Sequence, residues 1–177
     1  MSNFYHSPYV IKTADLLHTY GKYLADPDTF QDAYGDEIAV KWSEQGFMLI
    51  KCLVFMEAES SRHRTWNTQL LNKLLTAKTP KEAKECGRAV RGYNERTWNS
   101  LREEAMYFNL IRKFGQNPGL KAQLLATGND ILVEASPYDK IWGAGLRETD
   151  PRINDPSQWG KNLLGMCLDR VRTELKD

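Results

Sequence analysis

Lys51 is the only formal charge between Gln45 and Met56, set among Met48, Leu49, Ile50, Cys52, Leu53, Val54 and Phe55. An ammonium in apolar surroundings loses solvation, so its proton is held less tightly and the neutral amine becomes a nucleophile toward a carbonyl or masked-carbonyl carbon. An N-ribosyl amine is a masked carbonyl, because ring opening gives an imine at C1. A neutral Lys51 could attack that carbon, expel the base amine and leave a Schiff base for water to hydrolyse. Glu44 precedes Lys51 by seven residues, which on a helix places the two within about 20 degrees of each other. With Met48 between them on that stripe, Glu44 could move protons to the ring oxygen and the departing nitrogen. A plainer reading is equally open: Lys51 packs its methylenes and snorkels its ammonium to a rim, while Glu44 sits in a first turn favoured by the helix dipole.

Further along, LVEASPYDKIWGAGL (Leu132 to Leu146) holds a second group. Asp139 follows an apolar run and a turn and comes three residues ahead of Trp142 in a glycine loop, a trio that suits a nucleotide pocket. Its alternative is structural, with Asp139 capping a turn and Trp142 filling core. Arg62, His63, Arg64 and Trp66 mix basic and aromatic side chains as a nucleic-acid contact would, or as a solvated charged loop does. His6, His18 and His63 have no metal-binding spacing, so no zinc site is expected. Cys52, Cys86 and Cys167 are odd in number and widely spaced, which predicts buried reduced thiols rather than a disulfide framework.

The elements that must position these residues read as helix after helix. Leu16, Leu17, Tyr20 and Tyr23 predict a helix from Thr13 to about Ala25, followed by a polar surface excursion, ADPDTFQDAYGDE. The core helix opens near Ser43, a candidate N-cap, and runs to about Ala58; ESSRHRTWNTQ after it is polar and irregular. Thr79-Pro80-Lys81-Glu82 combines an N-cap threonine, proline at the first helical position and a capping-box glutamate. Further helices are predicted over Glu95 to Phe114, Pro118 to Gly128 and Lys161 to Leu175, with one brief strand at Ile131 to Glu134. At 177 residues, 41% hydrophobic and 27% charged, the chain is expected to form one domain, residues 1–177. A formal net charge of +1 gives no general electrostatic footprint for duplex DNA or an anionic membrane. Neither a membrane span nor a basic, apolar leader is visible, so a cytosolic location is expected.

The order of these landmarks resembles the NADAR, or YbiA-like, superfamily of N-glycosidases. It runs from Ser2-Asn3-Phe4-Tyr5 through Trp42-Ser43-Glu44 with Lys51, Thr79-Pro80 with Gly87-Arg88, and Trp98 with Met106 and Lys113-Phe114. It continues through Leu125-Ala126-Thr127-Gly128, Leu132-Val133-Glu134, Asp139 with Trp142-Gly143, and Gly160-Lys161-Asn162-Leu163-Leu164-Gly165, covering nearly the whole chain. The resemblance implies a mainly α, compact, single-domain helical fold with one or two short strands. It also implies hydrolysis of the bond between ribose C1 and an exocyclic amine, without metal or cofactor. By the same resemblance Lys51 is the Schiff-base lysine and Glu44 its acidic partner. Asp139, expected as the third catalytic residue beside Lys51 and Glu44, belongs to the pocket motif together with Trp142 and Gly143. Asn3, Phe4, Arg88, Trp98 and Asn162 are expected to shape or line the pocket, with Arg88 and Lys161 as phosphate contacts by charge.

Departures from the family pattern bear on the substrate. Gly46, Met48 and Ile50 replace the aromatic and glutamine residues usual after the glutamate, and the polar stretches Asp26 to Asp36 and Glu57 to Gln69 look like inserted loops. The chain also begins at the SNFY motif, ahead of which members often carry a strand and loop. The inserted loops and the start of the chain at that motif tilt the expectation toward ADP-ribosylated guanine, free or in single-stranded DNA, over a ribosylamino-pyrimidine phosphate of riboflavin synthesis. A module that binds ADP-ribose or NAD without turning it over is the rival of another class, and no membrane or obligate protein partner is expected.

Overall fold

The computed structural model describes residues 7–57 and 61–176; Asn3, Phe4 and Ala58, the expected end of the core helix, lie outside them. The chain divides into two compact units, one ending at Ala105 and the other beginning at Met106.

In the first unit Tyr9–Lys12 (β1) pairs antiparallel with Glu37–Val40 (β2), Tyr9 opposite Val40 and Lys12 opposite Glu37. Alternation sends Tyr9, Ile11, Ile38 and Val40 into the core. These strands were not expected. Thr13–Tyr20 (α1) and Pro27–Tyr34 (α2) lie between them in sequence. The stretch expected as a surface excursion is therefore largely helical. The Asp26 carboxylate accepts from the Thr29 N–H at 3.3 Å and from its hydroxyl at 2.6 Å, Pro27 starts the helix, and Phe30 is the residue it buries.

Ser43–Val54 (α3) is the centre of this unit, with Leu49, Ile50 and Leu53 wholly buried; each such side chain contributes about 1.5–3 kcal/mol. Trp42, not Ser43, occupies the N-cap position. Buried Gln45 fixes the start of α3: its side chain accepts from the Lys41 N–H at 2.8 Å and donates to the Leu74 carbonyl at 3.0 Å. The stretch expected as an irregular loop forms most of Ser61–Leu75 (α4), which packs on α3. Its apolar signal is confined to Leu70, Leu71 and Leu74, and its N-terminal half is held by buried Asn67, whose amide donates to the Phe55 carbonyl at 2.9 Å.

Pro80–Arg88 (α5) begins as predicted: Thr79 Oγ1 accepts from the Glu82 N–H at 3.2 Å and the Glu82 carboxylate accepts from the Lys78 N–H at 2.8 Å. Gly87 lets α5 lie close on α3, since a Cβ there would fall 1.8 Å from the Met48 sulfur. Glu95–Gln116 (α6) starts in the first unit and ends in the second.

In the second unit Pro118–Ala126 (α7) packs against Leu163–Leu175 (α8). Buried Arg172 ties them, donating to Thr127 Oγ1 at 2.7 Å, the Asp130 carbonyl at 2.9 Å and the Asp169 carboxylate at 2.7 Å. The strand predicted at Ile131 to Glu134 does not form. The buried Asn162 side chain takes the place of a strand partner there, donating to the Leu132 carbonyl at 2.9 Å and accepting from the Glu134 N–H at 3.0 Å. A mainly α fold with two short strands is the outcome, with the strands near the N-terminus instead.

Candidate active site

Lys51 and Glu44 are two turns apart on α3 and both half-buried. Burial holds the Lys51 ammonium below the usual lysine range, the Arg88 guanidinium acts in the same direction, and the Glu44 carboxylate opposes them. Neighbouring Cys52 adds no charge at neutral pH, because burial pushes its thiol up to about 12. The Lys51 Nζ lies 4.7 Å from the centre of the Tyr93 ring, whose face steadies the protonated form. Tyr93 in turn packs on Phe55 at 5.3 Å, and Phe55 on Trp98 at 6.4 Å. Trp98 is buried and also meets Phe47 at 5.2 Å, so it shapes the wall behind Tyr93.

The first unit thus brings together Lys51, Glu44, Arg88 and, through two rings, Trp98. Tyr93 was missed. It lies in the Gly92-Tyr93-Asn94 link between α5 and α6, and nothing in its local sequence relates it to Lys51.

The second unit gathers Glu134, Asp139, Trp142, Gly143, Lys161 and Asn162. Asp139 Oδ1 accepts from the Ile141 N–H at 3.0 Å and the Trp142 N–H at 2.8 Å, so the carboxylate caps its own turn. The loop then caps α8. The carbonyls of Lys140, Ile141, Trp142 and Gly143 accept from the N–H groups of Lys161, Leu163, Leu164 and Asn162 at 2.7, 3.1, 3.0 and 3.1 Å. Gly143 is required, since a Cβ there would stand 2.7 Å from the Glu134 carbonyl. Trp142 is half-buried and Lys161 exposed, while the Asn162 amide is engaged by the Leu132–Glu134 segment.

Glu134 is half-buried, and burial, then the Asp139 carboxylate, raises its carboxyl above the usual range. Its place after Leu132 and Val133 is the same kind of signal that singles out Lys51, a charge on an apolar run. Lys113 on α6 is almost wholly buried, and burial brings its ammonium down to about 8.

The two segments read as insertions build a cavity of about 630 Å³ in the first unit, walled by Phe30, Tyr34, Met56, Arg64, Leu71 and Asn72 among others. Neither Lys51 nor Glu44 lines it. Among the described residues there is no group of three or more histidine, cysteine, aspartate or glutamate side chains placed to hold a metal ion, and no helix long and apolar enough to cross a membrane.

A family model described as the NADAR domain matches residues 1–176. The N-glycosidase R617 of Acanthamoeba polyphaga mimivirus is 45% identical over 93 residues, which are 51% of this chain and 54% of that protein. The chloroplastic riboflavin biosynthesis protein PYRR of Zea mays is 30% identical over 168 residues, 93% of this chain and 24% of that protein. The chain therefore matches about half the length of the first relative and a quarter of the second. The NMR structure of the Escherichia coli protein YbiA superposes with a TM-score of 0.54 at 26% identity, covering 77% of this chain and 68% of that one.

Proposed function

Since the chain belongs to the NADAR family, we propose that it is an N-glycosidase that cleaves the bond between ribose C1 and a base amine through Lys51. The observation that carries this reading is a half-buried lysine, held below its ordinary pKa, on one helical stripe with a carboxylate two turns away. The ribose ring opens first, its C1–O4′ bond breaking as the ring oxygen takes a proton by way of Glu44 and C1 becomes an imine of the base amine; the neutral Nζ then adds to C1, a proton passes to the base nitrogen, and the C1–N bond to the base breaks to leave C1 doubly bonded to Nζ. Water then adds to the resulting iminium carbon, and its collapse frees the sugar and returns the amine. Arg88 supports the same step from two sides: its charge loosens the Lys51 proton, and its exposed guanidinium suits a phosphate.

ADP-ribosylated guanine is the preferred substrate, on the expectation drawn from the polar segments Asp26 to Asp36 and Glu57 to Gln69. The similarity to a riboflavin biosynthesis protein over 93% of the chain favours a second reading, a ribosylamino-pyrimidine phosphate. Incubation with each substrate, with release of free base followed by chromatography, separates the two. Borohydride added during turnover should trap a sugar adduct visible by intact mass and absent from Lys51→Ala. A trapped adduct that survives in Lys51→Ala, or turnover with no adduct in the parent, would overturn the mechanism.

A further inference from the structure

Helix α4 presents Arg62, Thr65, Trp66 and Gln69 on one face, and Arg91 from the turn after α5 closes them into a cleft of about 340 Å³. The cleft is built rather than accidental. Trp66 donates its indole N–H to the Ala89 carbonyl at 2.8 Å. Wholly buried Asn67 accepts from the Arg91 N–H and donates to the Arg91 carbonyl, both at 2.9 Å. With ring and backbone both pinned, the Arg91 guanidinium lies 3.7 Å from the centre of the Trp66 ring. Among the described residues no carboxylate lines the cleft. Arg64, close by in sequence, turns away to Glu57 at 3.0 Å, which leaves Arg62 and Arg91 as the two cations that line the cleft.

Two cations with a preset guanidinium–indole stack match a ligand that alternates phosphate with flat rings. We propose that this cleft holds a single-stranded polynucleotide, with phosphodiesters against Arg62 and Arg91 and a base stacked on the exposed side of the Arg91–Trp66 pair. A volume at the lower end for ligand sites fits one nucleotide unit, the strand continuing along the exposed face of α4. A duplex, whose bases are already stacked, cannot use the platform. This extends the reading in which the ribosylated guanine sits within a strand, but Lys51 takes no part in it.

Fluorescence anisotropy of a short labelled oligodeoxynucleotide tests the surface without turnover. In Arg62→Gln/Arg91→Gln affinity should fall at least about tenfold and the slope of log K against log salt should flatten by about 1.4, the share of two phosphates on a single strand. Trp66→Leu should weaken binding about tenfold at an unchanged slope. Base release from a free ribosylated nucleotide should stay parental in both variants, so loss of strand binding with turnover intact separates this surface from the Lys51 chemistry. Parental strand affinity in the variants would overturn the proposal. So would equal binding of the duplex form, or equally effective competition by inorganic polyphosphate, a polyanion without rings.

Discussion

A lysine is a nucleophile only in the fraction of time it lacks its proton, and at Lys51 that fraction is set by burial, Arg88 and Glu44. Because the ammonium lies below the usual range, kcat/KM should climb with pH and level off before an ordinary lysine would. Arg88→Gln removes a repelling cation and should move the midpoint up, whereas Glu44→Gln removes an attracting anion and should move it down while lowering the plateau; pH–rate profiles read both shifts. Opposite signs would mean that another group titrates. Lys113 makes a separate prediction about stability. With its folded pKa at about 8 against an ordinary 10.5, Lys113 binds its proton more readily in the unfolded chain between those values, so its own contribution to stability rises with pH across that window. That contribution is about 3 kcal/mol at most, and because the raised thiols of Cys52 and Cys86 act in the opposite direction over the upper part of the window, it is read as the difference between the parent and Lys113→Met in denaturant unfolding at stepped pH. Lys51 and Glu44 were legible because a charge in an apolar helix announces itself. Tyr93 was not, because it approaches Lys51 only through folding of the link after α5.

At the scale of elements, most helices announced by an apolar stripe or a proline cap were found. Helix α5 begins where Thr79-Pro80 said it would, yet Asp26-Pro27, the same kind of signal, was outweighed by the polar composition around it. Helix α4 was hidden because its N-terminal half is anchored by one buried asparagine rather than by leucines. The expected strand at Ile131 to Glu134 has the right residues, but a strand needs a partner and the one supplied is a side chain, Asn162. The junction at α8 is accordingly tight. A Cβ on Gly165 would lie 2.1 Å from the Leu132 carbonyl and 2.5 Å from Asn162 Nδ2, with backbone on one side unable to yield cheaply. Gly165→Ala should therefore cost about 1–3 kcal/mol in denaturant unfolding. Gly119→Ala, on α7 with open space around it, should stabilise by a few tenths to about 1 kcal/mol. Equal effects at the two glycines would mean that the α8 junction gives way more easily than its distances imply.

For the molecule as a whole, a net charge of +1 conceals local contrast: Arg62 and Arg91 share a cleft that no carboxylate lines among the described residues, while Glu44, Lys51 and Arg88 offset one another within a few turns. Thiol chemistry offers a global test of the fold, because each unit contributes. Cys52 and Cys86 belong to the first and Cys167 to the second, and all three are free and buried. Burial raises the thiols of Cys52, to about 12, and of Cys86, which leaves very little thiolate to react near neutral pH. Mixed with an aromatic disulfide reagent, the native protein should titrate slowly or not at all, and after guanidinium it should titrate three thiols without prior reduction. Partial unfolding should release thiols in the order in which the units open, so a biphasic labelling curve would report unequal stabilities and a single phase a cooperative fold. Rapid reaction of even one thiol in the native state would contradict the packing of α3, α5 or α8 around it. Fewer than three after denaturation would mean that a pair had oxidised, contrary to the reduced thiols found in the structure.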